Sequence, residues 1–242
     1  MTALSIIKDV CVEIGLPDPT IALASTDPQI TQLVRLLNKE GKELSARYAW
    51  QVLVREVTFT TVAAESQGTI AAIITAGDAG HSFRYILNDT IWNRSKIWPV
   101  LGPKSPRNWQ AYKAFSVTGP ISEYRIQGNV LKFSPIPAAG ETCAFEYVDK
   151  MWATDTTGAT YKQRLSVDTD EMLLDEDIMQ QGLLWRWRAA KKLDYTEDFL
   201  TYERMVADAM ARDGTKPTLS LCGAMDDYVP GVFVPAGSWP LP

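Results

Sequence analysis

Asp170-Glu171-Met172-Leu173-Leu174-Asp175-Glu176-Asp177-Ile178-Met179-Gln180-Gln181-Gly182-Leu183-Leu184-Trp185-Arg186-Trp187-Arg188-Ala189-Ala190-Lys191-Lys192 is the stretch whose reading decides the fold. Carboxylates crowd its start and cations its end, which complements both poles of a helix macrodipole. Leu174, Ile178, Gln181 and Trp185 share one face, and Leu184 and Arg188 another, by i, i+4 spacing. Thr196 is then placed to cap a second helix, with Phe199, Tyr202, Val206, Ala209 and Met210 on one stripe, Gly214 ending it and Pro217 preventing its resumption. The two indoles at 185 and 187 project about 200° apart. On a helix facing a single core, Trp185 is therefore taken as the core residue, and Trp187 is left to meet another molecule.

Working outward, the N-terminal stretch gives two more helices. Thr2 caps one running to Ile14, with Leu4, Ile7, Cys11 and Ile14 as its stripe and Gly15 as its stop. Thr26 or Asp27 caps the next, Pro28 occupies its first turn, and Ile30, Leu33, Val34, Leu37, Leu44 and Tyr48 line one side. Gly41 lies on that same face, where close approach of another backbone accounts for it, and Gly182 is expected to reflect the same kind of packing. From Gln51 the pattern changes. Gln51 to Val62 is rich in β-branched and aromatic residues and reads as a strand. Residues 63–82 read as a loop with one short strand, and a short helix follows Ser105-Pro106. A hairpin turns at Gln127-Gly128-Asn129, and residues 142–148 read as an alternating strand.

The fold class expected is α+β. Residues 1–50 and 168–214 form an antiparallel helical bundle, 51–167 a β-rich insertion with one short helix, and 215–242 an extended C-terminal docking arm. That last segment holds five prolines, too many for a helix, yet carries Tyr228, Val229, Val232, Phe233, Val234 and Trp239, too apolar for a solvated tail.

Composition narrows the function. A net charge of -5 with no basic run argues against gripping a nucleic-acid backbone. Cys11, Cys143 and Cys222 form a sparse, odd set that reads as reduced thiols rather than a disulfide framework. No apolar run of about 18 residues suggests a membrane span, and no secretory signal pattern opens the chain. The only histidine, His81, lies in a Gly-containing loop and reads as a surface residue rather than a base. No phosphate loop or cysteine metal spacing occurs. The carboxylates at 168, 170, 171 and 175–177 lack a calcium loop's pattern and read as an acidic helix start. No catalytic residue, metal or cofactor is assigned.

Asn88-Asp89-Thr90-Ile91-Trp92-Asn93-Arg94, Leu101-Gly102-Pro103-Lys104-Ser105-Pro106-Arg107-Asn108-Trp109, and Gly182-Leu183-Leu184-Trp185-Arg186-Trp187 with Leu193-Asp194-Tyr195 resemble the head-to-tail adaptors of short-tailed phages, the tail tubular protein A type. The resemblance spans the chain to about Leu221. It implies a non-enzymatic virion protein of the tail or neck, folded in the host cytoplasm. It implies a dodecameric ring between portal protein and tail nozzle protein, with DNA passing through without sequence-specific binding. The interface residues expected are Trp187, Arg188, Tyr228, Phe233 and Trp239. The alternatives are a nozzle or tail-completion protein, and a cell-wall-degrading hydrolase using paired carboxylates.

Overall fold

The computed structural model describes residues 1–115, 119 and 122–214, and shows a mixed α+β chain with antiparallel sheets. Helix α1 (Ala3–Glu13) starts where Thr2 Oγ1 accepts the N–H of Ser5. Helix α2 (Pro28–Arg47) starts where Asp27 accepts the N–H of Gln29 at 2.8 Å, with Pro28 in its first turn. Helices α5 (Glu176–Ala190) and α6 (Thr196–Asp213) follow near the other end. The cap of α6 differs from expectation: Asp194 accepts the N–H of Thr196 at 3.0 Å, and Thr196 is itself the first helical residue. Ile6, Leu33, Leu37, Leu183, Tyr202 and Val206 of these helices belong to one core, which Trp50, Leu53, Val148, Trp152 and Leu165 also enter.

Gly41 and Gly182 mark close approach as expected, but by side chains and not by a backbone. A Cβ on Gly41 would overlap the Trp152 ring, and one on Gly182 would overlap the Glu40 carboxyl. Trp152 is 1% exposed and its indole N–H donates to the Gln163 carbonyl at 2.8 Å, so the ring is fixed from its far edge.

The β-rich region is organised around β8 (Thr142–Asp149). It pairs antiparallel with β1 (Val54–Thr60) from Val54↔Val148 to Thr60↔Thr142. Its other edge meets β3 (Phe83–Ile86) and β4 (Trp92–Asn93), and β5 (Trp98–Pro99) pairs with β4. The strand reading of Gln51 to Val62 is shortened by a 3-10 turn at Gln51–Leu53. The two faces expected for β8 are both seen. Cys143, Phe145 and Tyr147 enter a core with Tyr124, Leu131 and Phe133, while Val148 enters the helical core. Burial itself does not alternate, because Ala144 and Val148 on the second face are buried as well.

Strands β6 (Glu123–Gln127) and β7 (Val130–Ser134) form the expected hairpin. Gly128 and Asn129 both adopt positive φ, +59 and +61, as a type I′ turn requires. β2 (Ser66–Thr69) adds to β7. A third sheet places β9 (Ala153–Thr154) between β10 (Tyr161–Lys162) and β11 (Glu171–Met172).

Among the described residues the middle region holds two α-helices where one was expected. Helix α4 (Pro106–Phe115) is the expected one; α3 (Ile70–Gly77) replaces part of the expected loop. Ile70, Ile73 and Ile74 stand at i, i+3 and i+4 and are buried together, and Thr69 caps the helix by accepting the N–H of Ala72. The β-branched residues of that segment favoured a strand locally, and burial of the stripe overrides that preference.

Gly41→Ala forces a methyl into a ring that cannot retreat. We expect a loss of about 1–3 kcal/mol, as for other overpacked cores, read by urea unfolding of the full chain. An unchanged midpoint would show that Trp152 yields freely.

Candidate functional site

Trp187 is 5% exposed in the helical core, with the Lys191 ammonium 4.3 Å from its ring centroid. It is not the unpartnered ring that helical spacing suggested. The premise of one core-facing side fails because α5 packs against α1, α2 and α6, and buries Ile178, Met179, Leu183, Leu184 and Trp187 on several sides. Trp185 is the indole nearer the surface. It is half-buried among Tyr195, Phe199 and Tyr202, with ring centroids 6.3, 5.2 and 6.0 Å away, and the Arg186 guanidinium lies 4.4 Å from its own centroid. Arg188 donates to Asp198 at 2.5 Å and ties α5 to the start of α6. Tyr228, Phe233 and Trp239 lie outside the described residues.

Around this aromatic group the surface is apolar. Leu193, Tyr195, Phe199 and Leu200, on the α5–α6 turn and the first turn of α6, are all exposed, Leu200 to 61%. The sequence reading missed Leu193 and Leu200 because both fall off the core stripe; an apolar residue off the stripe beside a turn was the available signal. A second exposed apolar surface lies at the β4–β5 hairpin, where Ile97 and Trp98 are 45% and 37% exposed. Ile97 adopts a left-handed φ of +59, unusual for a β-branched residue.

His81 is not a surface residue; its side chain is 5% exposed. Nδ1 stands 2.5 Å from Asp149, Nε2 stands 3.7 Å from Asp78, and the ring lies 4.3 Å from that of Tyr161. Asp149 also accepts N–H groups from Ser82 and Met151 and lies 3.8 Å from Arg55. Tyr147 donates its hydroxyl to Asp78, and burial followed by that carboxylate pushes its own pKa upward. A carboxylate–imidazole pair serves catalysis when the outer ring nitrogen meets a nucleophile. Here that nitrogen faces a second carboxylate, so the group binds the 78–82 loop to β8 and β10.

The acidic stretch is likewise spent on structure. Asp168 accepts the N–H groups of Ala22 and Leu23, Asp175 caps α5, and Glu176 pairs with the Met1 ammonium. Asp170 is fully buried and receives Ser166 N–H, Val167 N–H and the Lys162 ammonium. Burial alone would raise its pKa; Lys162 and the two N–H groups outweigh burial and hold it below the ordinary carboxylate value. Among the described residues no group of three or more His, Cys, Asp or Glu side chains is arranged to hold a metal. Cys11 and Cys143 are buried free thiols, and burial pushes Cys143 up to about 12.

The polar groups described above hold helices and loops in place, and apolar side chains are left exposed on the α5–α6 turn and the β4–β5 hairpin. The family of SU10 adaptor proteins matches residues 1–220, and the chain belongs to that family. It is a phage adaptor and a component of the virion. No curated protein matches the sequence. No described helix is long and apolar enough to cross a membrane.

A folded-state pKa below the unfolded one contributes stability above the unfolded value, lost as pH falls through the folded value. Asp170→Asn should therefore lose about 1–3 kcal/mol at pH 7, with the difference from the parent chain closing as pH falls below about 4. Urea unfolding across that range reads it, and a difference independent of pH would contradict the assignment.

Proposed function

We propose that this chain is a head-to-tail adaptor of the tail tubular protein A type, from a short-tailed phage. It assembles as a dodecameric ring between the portal protein and the tail nozzle protein, and DNA passes through the ring without sequence-specific binding. Residues 1–50 and 168–214 act as one antiparallel helical bundle, 51–167 as a domain inserted into it, and 215–242 as the docking arm. The protein does no bond-making chemistry, folds in the host cytoplasm and takes its place at the virion neck.

The observation that carries this reading is the pairing of family membership with two unlike exposed apolar surfaces. A cyclic ring needs a heterologous interface, in which each copy offers one surface and receives a different one. The α5–α6 turn, with Leu193, Tyr195, Phe199 and Leu200, supplies one; the β4–β5 hairpin, with Ile97 and Trp98, supplies the other. Arg188 sets the turn through Asp198, and Trp187 supports it from beneath. Tyr228, Phe233 and Trp239 on the arm complete the attachment. The net charge of -5 suits a channel that must let a duplex slide, since a basic wall would retain it.

The test is attachment to the portal. The full chain mixed with its portal should give rings on portal particles in electron micrographs. A chain ending at Gly214 should keep its helical circular dichroism and fail to attach. Normal attachment by the shortened chain would remove the arm from the account, and no ring with the full chain would remove the adaptor reading.

A further inference from the structure

The sheet around β8 turns one face away from its aromatic core. On that face Glu56 of β1 stands directly opposite Glu146 of β8, and Trp92 of β4 directly opposite Ala144. Directly opposed residues of antiparallel strands lie side by side on one face. These four line an open groove of about 540 Å³, with Asp89 and the exposed Ile97 also in its wall. The small side chain of Ala144, across from the Trp92 indole, leaves the hollow. Like charges set opposite each other destabilise a sheet. Arg94 relieves Glu56 at 2.7 Å, but among the described residues no cation pairs with Glu146 or Asp89. These carboxylates are not among groups arranged to hold a metal. The countercharge that suits them is a side-chain cation carried on an apolar segment.

We infer that the groove seats the α5–α6 turn of a second copy, with Lys192 beside Glu146 and Asp89 and Leu193 against Trp92 and Ile97. Residues 191–197 are all exposed, and Leu193 is 56% exposed. Lys191 lies over its own Trp187 ring, and Asp194 is bonded to the Thr196 N–H. Lys192, at a left-handed φ of +60, is the cation that the turn presents, and no carboxylate pairs with it among the described residues. One surface thus has acids without a cation, and the other a cation without an acid. Within one chain they stay apart: α5 and α6 are held in the helical core, and none of residues 191–195 lines the groove. They meet only between copies, each giving a turn and receiving one, as a heterologous contact requires. The inference rests on the ring reading above for its second copy. It adds the seat of the turn and the charges that fix its register.

A photoreactive benzoylphenylalanine at Tyr195, an aromatic exchanged for an aromatic, tests it in the full chain. Mixed heavy-isotope and light chains distinguish links between copies from links within one. Irradiated over rising micromolar concentrations, and again on portal particles, the probe should link to peptides carrying Trp92, Ile97 or Glu146 of another copy. Lys192→Glu in the probe chain should cut that yield about fivefold or more. Adding Glu146→Lys chains should restore it, with the links going to those chains. Melting curves show whether each variant folds as the parent does, and the links of the unvaried probe chain decide the seat without them. Links to another surface of a second copy would overturn this seat and leave the ring reading standing. Links only within one chain, links only to portal, or no links from a probe shown to react with added solute would overturn it, as would full yield in a folded Lys192→Glu chain. The expected links from chains that form no ring on portal would uphold this contact and remove the ring reading.

Discussion

Glu40 carries a carboxylate into the middle of α2, α5 and α6, where it is completely buried. Arg186 Nε donates to one oxygen at 2.5 Å and the Tyr202 hydroxyl donates to the other at 2.6 Å. Gly182 leaves the space the carboxyl occupies, since any Cβ there would overlap it. Arg186 reaches on to Glu43 at 2.7 Å and lies over the Trp185 ring. Burial would lower the pKa of Arg186, and the two carboxylates outweigh it; burial and Glu40 both raise that of Tyr202. Taking such charges out of water costs several kcal/mol per ion, recovered only when the geometry and hydrogen bonds are complete. One residue from each helix is therefore fixed in rotation and height relative to the others.

That constraint reaches the surface. Arg186 and Tyr202 both touch Trp185, so the aromatic group under the α5–α6 turn is set by the same charges. Arg188 and Asp198 then fix the turn from outside. An exposed apolar surface on a fixed turn presents one shape and loses little freedom when another molecule covers it. This joins the buried ion pair to the surface proposed above for contact with other molecules.

Much of the local structure was legible in the residues. Thr2 and Asp27 cap where their types suggest, Ser105-Pro106 opens α4, and Gly128-Asn129 turns the hairpin. Mixed α and β content was legible from the change of pattern at Trp50. The errors share one cause, which is that a sequence shows how residues repeat but not how many neighbours an element has. Trp187 was assigned outward because α5 was given one core-facing side. His81 was placed at the surface by its glycine-containing loop, yet Asp149, distant in sequence, draws it inward. Glu40 and Arg186 carried no sign of pairing, being 146 residues apart on helices whose polar residues look alike. Of the interface residues expected, Arg188 is partly exposed, Trp187 is covered, and the three on the arm lie outside the described residues.

Breaking one member of a buried ion pair leaves the other charged and unpaired, which costs about 3–5 kcal/mol, whereas replacing both with apolar residues is often near neutral. The most direct measurement is urea unfolding of the full chain carrying Glu40→Leu, Arg186→Leu, or both. The account requires a loss of about 3–5 kcal/mol in either single variant and substantial recovery in the double. Single variants within about 0.5 kcal/mol of the parent, or a double variant whose loss is the sum of the two, would contradict it.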